Sequence, residues 1–297
     1  MERKFILSAE STMDLPYSYV QERDISVIFY KYIINDVEYV DDMGKDPESL
    51  PSFYKKIAEG ALPSTSLINQ ETYKEYFEDL IQKGDILHIA FTSGQSASVG
   101  NAIAAAQEIQ EKYPEKVIKV IDSLCSSSGY GLLVDYAADL ADEGKTLDEV
   151  HDWVMTNRNK VHHQFFTSDM SHFKRTGRVS GPTATIATIL NICPIMRLDD
   201  KGRIIAYDKV RGKKKVIAET IKEVLKHADG GADYNKKVFI SSSNCPEDAE
   251  MVKSALEDAI PNIKGKIKMC DIGTIIGSHA GNGTVAIFFM GDERAPE

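Results

Sequence analysis

Asp85-Ile86-Leu87-His88-Ile89-Ala90-Phe91-Thr92-Ser93-Gly94-Gln95-Ser96-Ala97-Ser98 decides the reading of the chain. Asp85–Phe91 is a short apolar run bounded by hydroxyl and glycine residues, the pattern of a buried strand. An alanine-rich helical period follows at once over Ser96–Tyr113. A strand that passes directly into a helix is the repeating unit of a parallel α/β sheet. The same alternation surrounds it: Lys4–Ser8, Ile25–Tyr30 and Lys116–Asp122 read as strands, and Pro51–Glu59, Gln70–Lys83 and Ser126–Glu143 as helices. The first half is therefore predicted to be a parallel α/β domain.

The second half reads differently. Gln164–Thr167, Ile195–Leu198, Arg203–Lys209, Lys237–Ser241, Ile263–Cys270 and Thr284–Met290 are strand candidates, with helices near Lys214–His227 and Pro246–Asp258. Strands here outnumber helices, so a second domain of mixed α/β or of α+β class is expected. The helix Thr146–Asn159, followed by Lys160-Val161-His162-His163, supplies the boundary, giving domains over 1–160 and 161–297. A length of 297 residues suggests one large or two medium domains and is enough for a full hydrophobic core.

Composition removes several function classes. The formal charge of −10 disfavours non-specific attraction to nucleic-acid phosphate or anionic lipid headgroups. The 42% apolar and 27% charged fractions are those of a folded soluble chain, not a disordered one. After the charged Met1-Glu2-Arg3-Lys4 start only three apolar residues follow, too few for a signal-peptide core. Val285–Met290, among the longest apolar stretches, is far short of a membrane span. The expected location is cytoplasmic. Cys125, Cys193, Cys245 and Cys270 are widely spaced without C-x-x-C, and H-E-x-x-H is absent, so no metal site is expected. Gly144-Lys145-Thr146 resembles the end of a P-loop, but Asp139 occupies the required first glycine position. No cofactor is expected.

Chemistry is expected where strands end in small hydroxyl and glycine residues, because ligands of open α/β folds bind at the carboxyl edge of the sheet. Ser8-Ala9-Glu10-Ser11-Thr12-Met13-Asp14-Leu15, Thr92-Ser93-Gly94-Gln95-Ser96 and Asp122-Ser123 with Ser126-Ser127-Ser128-Gly129-Tyr130-Gly131 are three such places. Pro63-Ser64-Thr65-Ser66 is a fourth hydroxyl cluster, read as a loop before a helix. Singly, each reads as a helix cap or turn. Of seven histidines, His279 has the surroundings least like a solvated face, inside Ile276-Gly277-Ser278-His279-Ala280-Gly281-Asn282-Gly283, which reads as a glycine-rich turn. His162 and His163 should face opposite sides of a strand in a structural role. A serine-dependent acyl hydrolase using Ser93 and His279 is the alternative reading, although no G-x-S-x-G elbow is present and no acid is identified to orient the histidine.

Taken together these segments, with Phe173-Lys174-Arg175-Thr176-Gly177-Arg178-Val179-Ser180, resemble the DegV family, whose fatty-acid-binding members are the FakB-type subunits of bacterial fatty acid kinase. The resemblance spans nearly the whole chain and its motifs fall in the family's order. It implies a two-domain α/β fold with a fatty acid between the domains. The protein would then be a carrier without its own catalysis, whose partners are a long-chain fatty acid and a separate ATP-dependent fatty acid kinase that makes an acyl-phosphate. Carried over by position, Thr65, Ser93 and His279, with neighbouring Ser66 and Thr92, are the expected carboxylate site. The acyl chain would enter the C-terminal domain, where the apolar stretch Ala184–Ile192 offers Ile186, Ile189, Leu190 and Ile192; an ordinary core helix is the competing reading of that stretch. Glu10, Leu67-Ile68 and Ala97-Ser98-Val99 depart from the family's usual Asp, Gln-Pro and Gly-Thr-Tyr.

The physical requirements fit. Burying a methylene gains roughly 0.8 kcal/mol, so a chain of about 14 gains on the order of 11 kcal/mol gross. The carboxylate carried with it loses hydration and needs donors, which hydroxyls, an imidazole and helix-start amides supply. Two basic clusters stand out against the acidic background, Lys174, Arg175 and Arg178 in one and Lys209, Arg211 and Lys213–Lys215 in the other. Solvated surface is the ordinary reading of such clusters. Arg178, as the resemblance implies, and Lys213 with Lys214 are the candidates for docking an acidic face of the kinase.

Overall fold

The structure is a computed structural model and describes residues 3–180 and 192–296. The first half runs β1 (Ile6–Glu10), α1 (Tyr17–Glu22), β2 (Ser26–Ile28), β3 (Lys31–Ile34), β4 (Val37–Val40), α2 (Ser49–Ala58), β5 (Ser64–Ser66), α3 (Gln70–Ile81), β6 (Ile86–Ala90), α4 (Ser98–Lys112), β7 (Ile118–Asp122), α5 (Ser127–Asp142) and α6 (Leu147–Asn157). The second half runs β8 (Val161–Thr167), α7 (Ser171–Thr176), β9 (Val179–Ser180), β10 (Ile192–Leu198), β11 (Ile204–Arg211), α8 (Lys213–His227), β12 (Val238–Ser242), α9 (Pro246–Ala259), β13 (Lys268–Asp271), α10 (Thr274–Ala280) and β14 (Thr284–Met290).

The quoted strand-to-helix segment forms the centre of the first sheet. All five residues of β6 are buried, as a parallel strand covered on both faces requires. The sheet is parallel throughout, in the order β2-β1-β6-β7. From β1 the chain goes to one side for β2 and returns to the other for β6. The order therefore reverses between β1 and β6, and a crevice opens beyond their carboxyl ends, at Glu10-Ser11 and Phe91-Thr92.

A second small sheet, antiparallel β4-β3-β5, stands beside the first and was not expected from the sequence. Its hairpin turns at Asn35-Asp36, both with positive φ (52° and 61°), the left-handed pair that a tight two-residue hairpin needs. β5 is part of this sheet, so Pro63–Ser66 is not the expected free loop. Pairing with β3 sets Thr65 opposite Tyr32. A backbone held on one side by a ladder presents Thr65 in a fixed direction.

The second half forms a seven-stranded mixed sheet, β13-β12-β14-β8-β10-β11-β9. β8 and β14 at its middle are buried along their whole length. Helix α5 packs on this sheet and also against the turn after β1. It is buried on most of its circumference because it lies between the two halves. Close approach there depends on Gly129: a Cβ at that position would collide with His163 Nε2 and stand 2.6 Å from a Phe288 ring carbon. Residues 274–280, expected as a glycine-rich turn, are instead the short helix α10, which ends before Gly281-Asn282-Gly283. Among the described residues, no helix is long and apolar enough to cross a membrane.

Candidate functional site

A cavity of about 290 Å³ lies between the two halves, at the crevice beyond the parallel sheet. Most of its wall is apolar, with Phe165, Phe173, Leu198, Ile204, Ala286 and Phe288 from the second half. These residues sit on β8, α7, β10, β11 and β14, so the mixed sheet supplies an apolar floor. Polar groups reach the cavity from Tyr30, Thr65, Ser66, Gln95, Ser96, Arg178 and His279. The composition is that of a site for one largely apolar molecule fixed by a few polar atoms.

Thr65 and His279 meet at the polar side. Thr65 Oγ1 and His279 Nε2 are 3.0 Å apart, while His279 Nδ1 is buried without a hydrogen-bond partner among the described residues. Burial, with the Arg178 and Arg175 charges nearby, pulls the His279 pKa down to about 4. The imidazole is therefore neutral at neutral pH, carrying one N–H. The Tyr30 hydroxyl is likewise buried, with Ser96, Ser98 and Glu10 beside it but none at full hydrogen-bond geometry among the described residues. Burial and then the Glu10 charge push this phenol well up, so it is a neutral O–H donor. The unused His279 nitrogen on the cavity wall is a deficit that a bound polar group would fill.

The hydroxyls expected after β6 divide. Ser96 lines the cavity, its Oγ donating to Ser98 Oγ at 3.1 Å. Thr92 and Ser93 lie outside the lining. Thr92 is buried, its Oγ1 accepting from the Gly94 amide at 3.0 Å and donating to the Gly202 carbonyl at 3.4 Å. Ser93 is exposed, and its amide donates to Asp122 Oδ1 at 3.1 Å, which turns the loop outward at that residue. Ser93 and His279 therefore do not assemble as nucleophile and base. With His279 Nε2 against Thr65 and no carboxylate on Nδ1, the hydrolase reading is not favoured.

The other expectations fall as follows. Ser66 lines the cavity beside Thr65. Ile192 opens β10 half-buried and is not on the lining, while Ile186, Ile189 and Leu190 lie outside the described residues. Arg178 is exposed and lines the cavity at its rim, with one guanidinium nitrogen donating to the Thr176 carbonyl at 2.5 Å. Lys213 pairs with Asp248 at 2.6 Å, and Lys214 is exposed. β9, next to Arg178, pairs with the start of β11, whereas the lysines follow its end. The two basic clusters are thus separated by the length of that strand, about 23 Å. Two departures from the family pattern, Leu67 and Ala97, both fall on the lining. The third, Glu10, is fully buried behind it, accepting from the Tyr73 hydroxyl at 2.6 Å and the Phe91 amide at 3.1 Å.

Sequence reasoning missed Tyr30, Gln95, Ser96 and His163 as cavity residues. Ser96 carried a signal, since it stands immediately before the alanine-rich helix. His163 lines the cavity but is fully used: the Ser126 amide donates to its Nε2 at 3.1 Å and its Nδ1 is 3.1 Å from the Val161 carbonyl. Burial and the Arg294 charge hold it neutral, well below the usual histidine range. His162, His227 and Asp292 bring ligating atoms within 4.8 Å of one another, away from the cavity, but there Asp292 is already hydrogen-bonding distance from both rings.

A family model described as "Uncharacterised protein, DegV family" matches residues 4–292. The chain belongs to the DegV family. It is 37% identical over 296 residues to a DegV domain-containing protein of Clostridium perfringens, covering 99% of this chain and 100% of the relative. A solved DegV family protein from Thermus thermophilus, described as fatty-acid binding, superposes with a TM-score of 0.83 at 24% identity, covering 98% of this chain and 100% of that one. The Streptococcus pneumoniae fatty acid kinase B3 protein, loaded with linoleic acid, superposes with a TM-score of 0.81 at 20% identity over 96% of this chain and 99% of that one. These likenesses establish the DegV fold for the chain: a parallel sheet in the first part and a mixed sheet in the second.

Proposed function

We propose that this DegV family member binds a long-chain fatty acid and presents its carboxylate to a separate, ATP-dependent fatty acid kinase, which forms the acyl-phosphate. The carboxylate rests against Thr65, Ser66, Ser96, Tyr30 and His279, and the acyl chain runs over Phe165, Leu198, Ala286 and Phe288. Thr92 and Ser93 shape the loop that carries Ser96. The observation that carries this reading is the pairing of an apolar cavity with polar wall groups, among them His279 Nδ1, which has no hydrogen-bond partner among the described residues. Solved relatives described with bound fatty acids, among them a kinase-system protein, support it.

The position of the polar side favours presentation over storage. Leu67, 51% exposed, and the exposed Arg178 lie on the same lining as Thr65, so the carboxylate end is near the surface. A second protein could reach it there without the acyl chain leaving its wall. Arg178 then serves as the docking cation nearest the carboxylate, and Lys213 with Lys214 steer from a more distant patch.

The test is reconstitution of the loaded protein with the cognate kinase and ATP, trapping acyl-phosphate with hydroxylamine. Arg178→Glu is expected to slow hydroxamate formation at low salt, with the difference shrinking as salt is raised. The joint change Lys213→Glu and Lys214→Glu is expected to do the same more weakly and leave fatty-acid affinity intact. No acyl-phosphate from the wild type with any cognate kinase would end the presentation reading while leaving lipid binding to its own test.

A further inference from the structure

A second cavity, of about 440 Å³, lies across the segment that follows β13. Ile272, Ile275 and Ile276 line the first cavity, whereas Asp271, Gly273 and Thr274 line the second. The wall facing them comes from the first half and carries Asp14, Asp41 and Asp42. Asp14 and Asp41 are only 5% and 1% exposed. Each has one oxygen occupied: Asp14 Oδ2 accepts from the Ser127 hydroxyl at 2.5 Å, and Asp41 Oδ1 from the Thr274 hydroxyl at 2.8 Å.

Their other oxygens, Asp14 Oδ1 and Asp41 Oδ2, are buried and meet no donor at full hydrogen-bond geometry among the described residues, the Gly273 amide lying nearest Asp14 and the Ser11 hydroxyl near Asp41. Nor does either side chain enter an ion pair among those residues. The two carboxylates flank Gly273, Asp14 with its free Oδ1 and Asp41 with the Oδ1 that Thr274 holds. A Cβ at Gly273 would stand 2.5 Å from Asp14 Oδ1 and 3.6 Å from Asp41 Oδ1. Glycine at this position keeps the space between them open.

Burial, with neighbouring acids, raises both carboxyls, Asp14 well up and Asp41 to about 6, so each holds its proton more tightly when empty, and a bound cation replaces that proton in relieving the cost of burial. The side-chain donors there are mainly oxygens: the Asp14 and Asp41 carboxylates, with Asp42 and Asp271 and the Ser11, Ser49 and Thr274 hydroxyls on the same lining. Oxygen donors without imidazole or thiolate select hard cations. The cavity exceeds what a bare ion fills, which suits an ion that keeps several waters and takes only one or two carboxylates, the habit of Mg²⁺.

We propose that Asp14 and Asp41 hold a partly hydrated divalent cation of the Mg²⁺ class in this second cavity. The site is independent of the fatty-acid reading. It ties the turn after β1 and the loop after β4 to the start of α10, and so spans the two halves.

Mn²⁺ is the probe, titrated into chelator-treated full-length protein and read as free Mn²⁺ by electron paramagnetic resonance, with Mg²⁺ as competitor. The expected result is one Mn²⁺ per chain, displaced by Mg²⁺, with affinity about tenfold or more weaker in Asp14→Asn and Asp41→Asn. A second reading needs no variant: in the wild type, substoichiometric Mn²⁺ should broaden the Gly273 and Thr274 amide resonances first. Absence of bound Mn²⁺ at millimolar concentration, equal binding by both folded variants, or first broadening elsewhere would each overturn the proposal.

Discussion

Thr65 and His279, 214 residues apart in the chain, sit 3.0 Å apart across the cavity wall. One is held by the edge strand β5 and the other by the short helix α10, so the pair exists only when the two halves close on each other. On the proposed reading, a carboxylate bound beside them gains charge-assisted hydrogen bonds where the polar wall meets the apolar one. Removing one such bond costs roughly 1.5–3 kcal/mol, about tenfold or more in affinity.

Thr65→Val, His279→Ala and Ser96→Ala should therefore each weaken displacement of a fluorescent fatty acid by about that factor. Ser93→Ala should bind as wild type, because its side chain is exposed and outside the lining. Weakened binding in Ser93→Ala with wild-type binding in Ser96→Ala would place the carboxylate on the other side of the loop.

The acyl wall has its own test. Ala286 is buried on β14 and lines the cavity. Ala286→Phe adds a ring where methylenes are expected, so the mass spectrum of extracted lipid should shift to shorter chains or lower occupancy. An unchanged lipid profile in a folded variant would show that the chain runs elsewhere.

His279 links binding to pH. Its folded pKa, about 4, lies below the ordinary value, so the empty fold resists protonation there. The unfolded chain binds that proton first, and the stability of the emptied protein should fall as pH drops below about 6.5 and towards 4. A bound carboxylate reverses the sign locally by favouring the imidazolium. The His279 ring resonances should titrate near 4 in emptied protein and higher in loaded protein. His162, also held down to about 4 by burial but outside the cavity, should not move. Equal His279 titrations in both states would remove it from the carboxylate site.

The parts of the fold legible in the sequence are those where local pattern and tertiary environment agree. β6 announces itself because a strand buried on both faces is a continuous apolar run, and α4 because its alanines repeat at helical spacing. The β3–β4 hairpin carried a readable turn at Asn35-Asp36, masked because its strands are only four residues long. α10 was read as a turn because its glycines conceal seven helical residues whose stability comes from packing on α2 and α7. Thr65, Ser66 and His279, which family motif order points to, line the cavity. Ser93 and Ser96 differ by three positions in one loop, and what separates them is tertiary: the Asp122 carboxylate holds the Ser93 amide, and the Gly202 carbonyl receives the Thr92 hydroxyl.

Native mass spectrometry of freshly purified protein, followed by organic extraction, tests the central claim most directly. A wall that buries an acyl chain should release it slowly into water, so a long-chain fatty acid is expected at close to one per chain. A single lipid-free species that also takes up no added fatty acid would contradict the account.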